Sequence, residues 1–195
     1  MAQKKAHEVD GWLGRPSPEA RIVLIYGPDR GLVSERAKRF AASTGLPLDD
    51  PFSVIKLSAS SLDAEPGRLV DEARTVPMFA SRRLIWVLDA RGDKGLADGV
   101  KVLLEEPPAD AVVLIEAGDL KKGAPLRTAV EGGFSGMALP CYADDARGID
   151  RLIDEELGKA GLAITLEARQ QLKAALGGDR LASRSELEKL ALYCA

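Results

Sequence analysis

Residues 21–40 have the pattern of a nucleotide-binding unit: a β-branched apolar run, a glycine turn and an apolar repeat with helical spacing. In a phosphate loop of the form Gly-x4-Gly-Lys-Ser/Thr, backbone N–H groups cradle the phosphates, the lysine neutralises them and the hydroxyl holds magnesium. Here the loop reads Gly27-Pro-Asp-Arg-Gly-Leu-Val-Ser34. Gly27 and Ser34 match, but Leu32 and Val33 stand where the second glycine and the lysine belong. The sequence therefore predicts a strand, a turn and a helix whose loop is degenerate for phosphate binding.

Other interpretations of this loop stay open. The Gly27-Pro28-Asp29 turn is also typical of an ordinary βα unit in which a turn simply starts a helix. Arg30 offers another positive charge, since a guanidinium group binds phosphate well, although it precedes the position of the lysine. A titration with Mg-ATP separates a divergent phosphate-loop NTPase from a loop that binds no nucleotide.

Carboxylates that end two predicted strands are the remaining candidates for catalysis. Asp89 follows Leu84-Ile-Trp-Val-Leu88, where a phosphate-loop ATPase holds magnesium and activates water. Ala90 comes next, so the adjacent glutamate that would act as base is missing. Glu116 ends the following strand and is more typical of a turn carboxylate. Together with Val33 at the lysine position, this pattern predicts no catalytic residues, no cofactor and no metal site.

Composition places the chain among globular proteins with a core of ordinary size. Its 195 residues are 46% hydrophobic, enough for one α/β domain and a smaller module. A net charge of −3 excludes a global basic field for nucleic acid, although it leaves room for a local patch. The N-terminal residues lack an apolar signal core, and no apolar run is long enough to span a membrane. We therefore expect a cytoplasmic protein.

Cysteine and histidine usage excludes several kinds of site. Cys141 and Cys194 are far apart and form no Cys-x-x-Cys or Cys/His cluster, which argues against zinc. Free, partly buried thiols are the simpler expectation, with a disulfide left open. His7 is the only histidine and lies in a polar N-terminal stretch. A Ser-His-Asp or Cys-His site would therefore lack its base.

Apolar runs that alternate with helical patterns predict an α/β fold with a parallel sheet. Continuous apolar runs of this kind are typical of strands buried on both faces. The predicted strands are residues 21–27, 52–58, 83–89, 111–116 and 137–142. Helices are predicted from near Pro66 and over residues 96–105, the second ended by Pro107-Pro108. Pro140 indicates that the last strand lies at an edge of the sheet or ends there.

From residue 143 onward no β-type run occurs and the pattern becomes helical. One apolar stripe covers residues 149–157, and a second begins at Leu166 and stops at Gly177-Gly178. Ser183-Arg-Ser-Glu186 has the form of a capping box and predicts the start of a third helix. This last helix has no stop signal before Ala195, so we expect a segment of a longer protein.

Residues 75–83, Thr-Val-Pro-Met-Phe-Ala-Ser-Arg-Arg, place two large apolar side chains between predicted elements. Met78 and Phe79 follow Pro77 and precede the two arginines. They either fill the core beneath a loop or, if exposed, form an interaction plug, because exposed apolar patches usually mark a partner. Both interpretations stay open on residue types alone.

Three segments of the sequence resemble the delta subunit of bacterial DNA polymerase III, the part of the clamp loader that opens the sliding clamp. Leu24-Ile-Tyr-Gly-Pro-Asp29 is similar to the altered phosphate loop of that family. Residues 76–83, Val-Pro-Met-Phe-Ala-Ser-Arg-Arg, are similar to its clamp-binding element, and residues 176–193 resemble its second-domain signature. Together the three segments span nearly the whole chain.

This resemblance implies an AAA+ ATPase-like α/β domain with a parallel five-stranded sheet over residues 1–142, and a helical lid domain over residues 143–195. The C-terminal collar domain of the family would follow and is absent from this sequence. The family's clamp-binding leucine and phenylalanine fall on Met78 and Phe79, with Val76 and Pro77 supporting them. Methionine is a mild departure, because its flexible thioether fills an apolar pocket nearly as well as leucine.

The resemblance also implies a non-catalytic subunit of the DNA polymerase III holoenzyme, a nucleotidyltransferase, that acts in DNA replication. Its implied partners are the β sliding clamp, the motor and delta-prime subunits of the loader, and primed DNA only within the assembled loader. No membrane partner is implied, and ATP hydrolysis falls to the motor subunits. The rival hypothesis is a divergent phosphate-loop NTPase or nucleotide-binding switch that binds nucleotide through Arg30 and Ser34.

Overall fold

A computed structural model of the chain describes residues 3–65, 67–77, 82–142, 146–176 and 179–194. The chain divides into two compact units, Met1–Pro28 with Val33–Cys141, and Asp29–Leu32 with Tyr142–Ala195. A five-stranded sheet lies in the first unit. Its strands are β1 (Ile22–Tyr26), β2 (Val54–Ser58), β3 (Arg83–Ala90), β4 (Ala111–Ala117) and β5 (Gly136–Pro140). Each lies within two residues of its predicted bounds.

The strands are parallel and follow the order β2-β3-β4-β1-β5. All five residues of β1 are buried, as expected for an apolar run covered on both faces of a sheet. β5 is an edge strand that ends at Pro140, where a missing N–H costs no ladder hydrogen bond on the open side. The predicted parallel sheet and the edge position of Pro140 are confirmed.

Helices alternate with these strands along the chain. They are α1 (Val9–Gly14), α2 (Arg30–Ser43), α3 (Ala59–Ala64), α4 (Arg68–Arg74), α5 (Lys94–Glu105) and α6 (Pro125–Gly132). The side chains that α5 and α6 bury, among them Leu96, Leu103 and Leu126, join the core formed by the sheet. α6 begins with proline at its first position, a start signal that the strand pattern alone did not reveal.

The second unit contains helices α7 (Ala146–Lys159), α8 (Leu166–Ala175) and α9 (Arg180–Cys194). Leu152, Ile153 and Leu157 of α7 pack with Leu187 and Ala191 of α9 to form its apolar core. In the part of the chain that the structure describes, none of the helices combines the length and apolar character needed to cross a membrane.

Two expectations about the residues after β5 are wrong. α9 begins at Arg180 rather than at Ser183, because the Asp179 carboxylate accepts the N–H of Ala182 at 3.0 Å and starts the helix one turn earlier. Ser183 is instead a buried residue inside the helix. Cys141 and Cys194 are free, as expected, but only Cys141 is buried and Cys194 is exposed.

Candidate functional site

Gly27, which directly follows β1, packs closely against the backbone of Gly118 and Cys141. Gly27 donates its N–H to the carbonyl oxygen of Gly118 at 3.2 Å. A Cβ at this position would lie 1.8 Å from the carbonyl oxygen of Cys141, far inside contact distance. Gly27 is therefore required by the close approach of the chain after β5, and its N–H already has an acceptor.

The N-terminus of α2 carries a carboxylate where a phosphate loop binds an anion. Asp29 is only 5% exposed, and its Oδ1 accepts the N–H of Leu32 at 2.9 Å. Helix N-termini favour negative charge because their first N–H groups lack intrahelical acceptors. A phosphate would have to compete with this buried carboxylate for the same helix end. The chain itself thus supplies an acceptor for one of the first N–H groups of α2.

Side chains at the degenerate positions of the loop point to packing. Leu32 and Val33 are both buried, Ser34 is half-buried and Arg30 is exposed. In the second unit Gly31 is also buried, and a Cβ there would lie 2.9 Å from the backbone nitrogen of Leu181. Leu32 and Val33 thus serve apolar packing, and Gly31 lies close to backbone.

The two strand-end carboxylates differ in their surroundings. Asp89 is exposed and has a left-handed φ of 57°, at the point where the β3–β4 register shifts between Val87 and Ala90. Glu116 is half-buried, and its Oε1 accepts the indole N–H of Trp86 at 2.7 Å. Burial raises the pKa of Glu116 above its ordinary value, while the Trp86 hydrogen bond works in the opposite direction. Among the described residues, no group of three His, Cys, Asp or Glu side chains could hold a metal ion.

The predicted clamp-binding pair, Met78 and Phe79, lies outside the described residues. The two supporting residues that precede it are described. Val76 is 73% exposed and Pro77 is half-buried. Val76, two residues before Met78 in the sequence, is therefore a branched apolar side chain that faces solvent.

A buried arginine fixes the start of this segment. Arg83, the first residue of β3, donates from Nη1 to the carbonyl oxygens of Glu72 at 2.9 Å and Thr75 at 3.5 Å. Its Nη2 pairs with the Glu72 carboxylate at 3.0 Å. Thr75 is also held by its own N–H and hydroxyl, which both donate to the carbonyl oxygen of Asp71. The end of α4 and the start of β3 are thus joined by one guanidinium group.

Two functional side chains were missed by the sequence analysis. Asp29 had a readable signal, because aspartate directly before a helical repeat is a preferred N-cap residue. The pairing of Arg83 with Glu72 had none, because the two residues come from different elements and only the fold brings them together.

The chain is similar to known proteins in both sequence and fold. It is 26% identical over 173 residues to the probable DNA polymerase III subunit delta of Rickettsia prowazekii. The matched region covers 89% of this chain and 50% of that relative. Its fold matches the Bacillus subtilis DNA clamp loader delta protein with a TM-score of 0.65 and 17% identity, over 98% of this chain and 58% of that protein. The predicted resemblance to the delta subunit is confirmed.

The fold is AAA+ ATPase-like, as that resemblance implied. A second match, to the Thermotoga maritima RuvB Holliday junction branch migration motor, has a TM-score of 0.57 and 12% identity, over 96% of this chain and 60% of that protein. No family model matches the chain. The chain spans about half the length of the curated delta subunit that it matches.

Proposed function

We propose that this chain is the part of a clamp-loader delta subunit that binds the β sliding clamp and helps to open it for loading onto primed DNA. The observation that carries the proposal is the exposed Val76 at the start of the predicted clamp-binding segment, directly after Thr75, whose carbonyl oxygen accepts a hydrogen bond from the buried Arg83. An exposed apolar residue this close in sequence to Met78 and Phe79 is well placed to contact the same partner.

In this proposal residues 1–142 form the AAA+-like domain and residues 143–195 form the helical lid. The collar domain belongs to the remaining length of the longer relatives. The other partners are the motor and delta-prime subunits of the loader, with primed DNA contacted only in the assembled complex. The subunit works in the cytoplasm.

The contacts at the glycine loop support a subunit that does not itself use nucleotide. Gly27 is closed against Cys141, and the Asp29 carboxylate accepts the helix N–H that an anion would need. ATP would then act on the motor subunits, whose nucleotide state controls access to the clamp-binding segment through movement of domains.

A double substitution tests the proposal. Met78→Ala with Phe79→Ala should weaken binding to the clamp of the same organism by about 3 to 5 kcal/mol, because each buried apolar side chain contributes about 1.5 to 3 kcal/mol. That loss is at least about a hundredfold in Kd. The free energy of unfolding should change by less than about 0.5 kcal/mol, as for surface residues.

A matched control uses another adjacent apolar pair. Leu192→Ala with Tyr193→Ala removes two exposed side chains of α9 and should leave clamp affinity unchanged. Surface plasmon resonance with immobilised clamp gives the affinities, and thermal melts give the stabilities. Strong destabilisation of the Met78/Phe79 variant with normal clamp binding by its folded fraction would show that the pair fills the core, and the proposal would fail.

A further inference from the structure

Phe52 is a large aromatic residue that the first unit leaves in solvent. It lies in the turn before β2, outside the strand that the sequence pattern predicted from this residue, and it is 64% exposed. A single exposed apolar residue needs no explanation, but a contiguous apolar patch usually marks an interaction surface. The surroundings of Phe52 therefore decide how it is interpreted.

The turn that carries Phe52 is fixed by Asp50. The Asp50 carboxylate accepts the N–H of Phe52 at 3.1 Å and the hydroxyl of Ser53 at 2.5 Å. Its carbonyl oxygen accepts the N–H groups of Ser53 and Val54. The hydrogen bond from the Ser53 hydroxyl, followed by that from the Phe52 N–H, lowers the pKa of the Asp50 carboxyl below its ordinary value, which favours the charged acceptor in this turn. Phe52 is thus presented by an ordered turn, which reduces the entropy lost on binding.

A cleft of about 210 Å³ separates this turn from the segment after α4. Its lining consists of Pro51, Phe52 and Ile55, of Thr75, Val76 and Pro77 from the segment after α4, and of Arg83. Most of these residues are apolar, and two of them, Phe52 and Val76, are exposed large hydrophobic residues from different segments of the chain. The cleft can therefore accept an apolar side chain from outside.

This cleft is continuous with the proposed clamp-binding segment. Val76 and Pro77 line the cleft and directly precede Met78 in the sequence. A partner that receives Met78 and Phe79 would therefore meet the chain within a few residues of the cleft. This continuity favours the clamp itself as the occupant, rather than an unrelated ligand.

We propose that Phe52 and Val76 form a second apolar contact with the sliding clamp, beside Met78 and Phe79, in which a clamp side chain enters the cleft between them. This inference rests on the proposed function. It widens the clamp-binding surface from one segment to two, and it makes the turn at Asp50 a determinant of clamp affinity.

The test compares substitutions at two exposed phenylalanines. Phe52→Ala should weaken clamp binding about tenfold, since part of a phenylalanine side chain would lose its burial. Phe52→Leu should lose less than about threefold, because it keeps most of the apolar surface. Phe134→Ala is the matched control, since Phe134 is 90% exposed and lies two residues before β5, four strands from β2 in the same sheet. At about 4.8 Å per strand, β5 lies about 19 Å from β2 across the sheet, and the control should bind normally.

Three results distinguish the inference from the proposed function. Loss of binding in Phe52→Ala, with an unchanged melting temperature and a normal Phe134→Ala variant, supports the second contact. Normal binding by Phe52→Ala, while the Met78/Phe79 double variant loses affinity, overturns the second contact and leaves the proposed function intact. Absence of clamp binding by the unsubstituted chain overturns both.

Discussion

The two ends of the parallel sheet differ in their packing: one is closely packed beside Gly27, and the other has exposed apolar residues beside a cleft. At the carboxyl end of β1, Gly27 is closed against the backbone of Cys141, and Val33 is buried. At the amino ends of β2 and β3, Phe52 and Val76 are exposed beside an open cleft. Ligands of open α/β sheets usually bind outside the carboxyl ends of the strands. In this chain the backbone of Cys141 fills the space beside Gly27 at that end, and the exposed Phe52 and Val76 lie at the other end.

The difference shows that a fold can keep the backbone of a ligand site while its chemistry is replaced. β1 contributes Ile22, Leu24 and Tyr26 to the core of the sheet, and α2 buries an apolar face of its own. At the positions of the second glycine and the lysine of a phosphate loop stand the buried side chains of Leu32 and Val33. An exposed apolar surface, in contrast, contributes nothing to the core, so its retention needs a partner to explain it.

The largest expected effect is at the filled end. Gly27→Ala should lower the free energy of unfolding by about 3 kcal/mol, because the new Cβ would overlap the Cys141 carbonyl group and backbone cannot rotate away as a side chain can. Gly132→Ala, in α6 with no atom near the added Cβ, should change stability by less than about 0.5 kcal/mol. Urea denaturation measures both. Equal effects at the two glycines would show that the loop at Gly27 is open.

The next effect concerns the exposed end. Arg83→Met should cost about 2 kcal/mol, because it removes the buried partner of Glu72 and leaves two carbonyl oxygens without this donor. Clamp affinity should fall as well, since the start of the binding segment loses its anchor. The neighbouring Arg82 is exposed, and Arg82→Met should be nearly neutral for stability. Thermal melts of the two variants, run together, compare the buried and the exposed arginine directly, and an equal loss would remove the anchoring role.

The smallest effect is at the cap of α2. Asp29→Ala should cost about 1 kcal/mol, the usual loss for an N-cap residue. Asp29→Asn keeps an acceptor for the Leu32 N–H and removes the charge, so it should cost only a few tenths of a kcal/mol. Chemical denaturation checks both. An equal loss in the two variants would mean that the charge, rather than the hydrogen bond, stabilises the helix end.

The sheet could be predicted from sequence because its strands are continuous apolar runs, and burial on both faces allows little else. The start of β2 was misplaced at Phe52, since the turn held by Asp50 ends only at Ser53. Ser183 was misassigned because Asp179, four residues earlier, competes for the same role and lies nearer to the helix start. Local patterns predict that an element exists better than where it begins.

At the candidate site, the sequence identified the degenerate loop residues but not the contacts that Asp29 and Cys141 make there. The closing of Gly27 against Cys141 joins residues more than a hundred positions apart, and nothing in either local pattern indicates it. Val76 and Pro77 were identified through a resemblance, whereas Phe52 becomes part of the same surface only when β2 and β3 pair. Contacts between elements were the part that sequence could not supply.

The position of Arg83 also has a mechanical consequence. Arg83 is the first residue of β3, which pairs with β2 on one side and β4 on the other. Its side chain donates a hydrogen bond to the carbonyl oxygen of Thr75, the residue before the 76–82 stretch. A force applied to that stretch therefore enters the domain at Thr75 and Arg83 together and is shared by the neighbouring strands of the sheet. Tension directed along parallel strands loads many hydrogen bonds at once instead of breaking them one by one. The guanidinium group that joins Thr75 to β3 would then also let the proposed clamp-binding segment bear a pull from its partner.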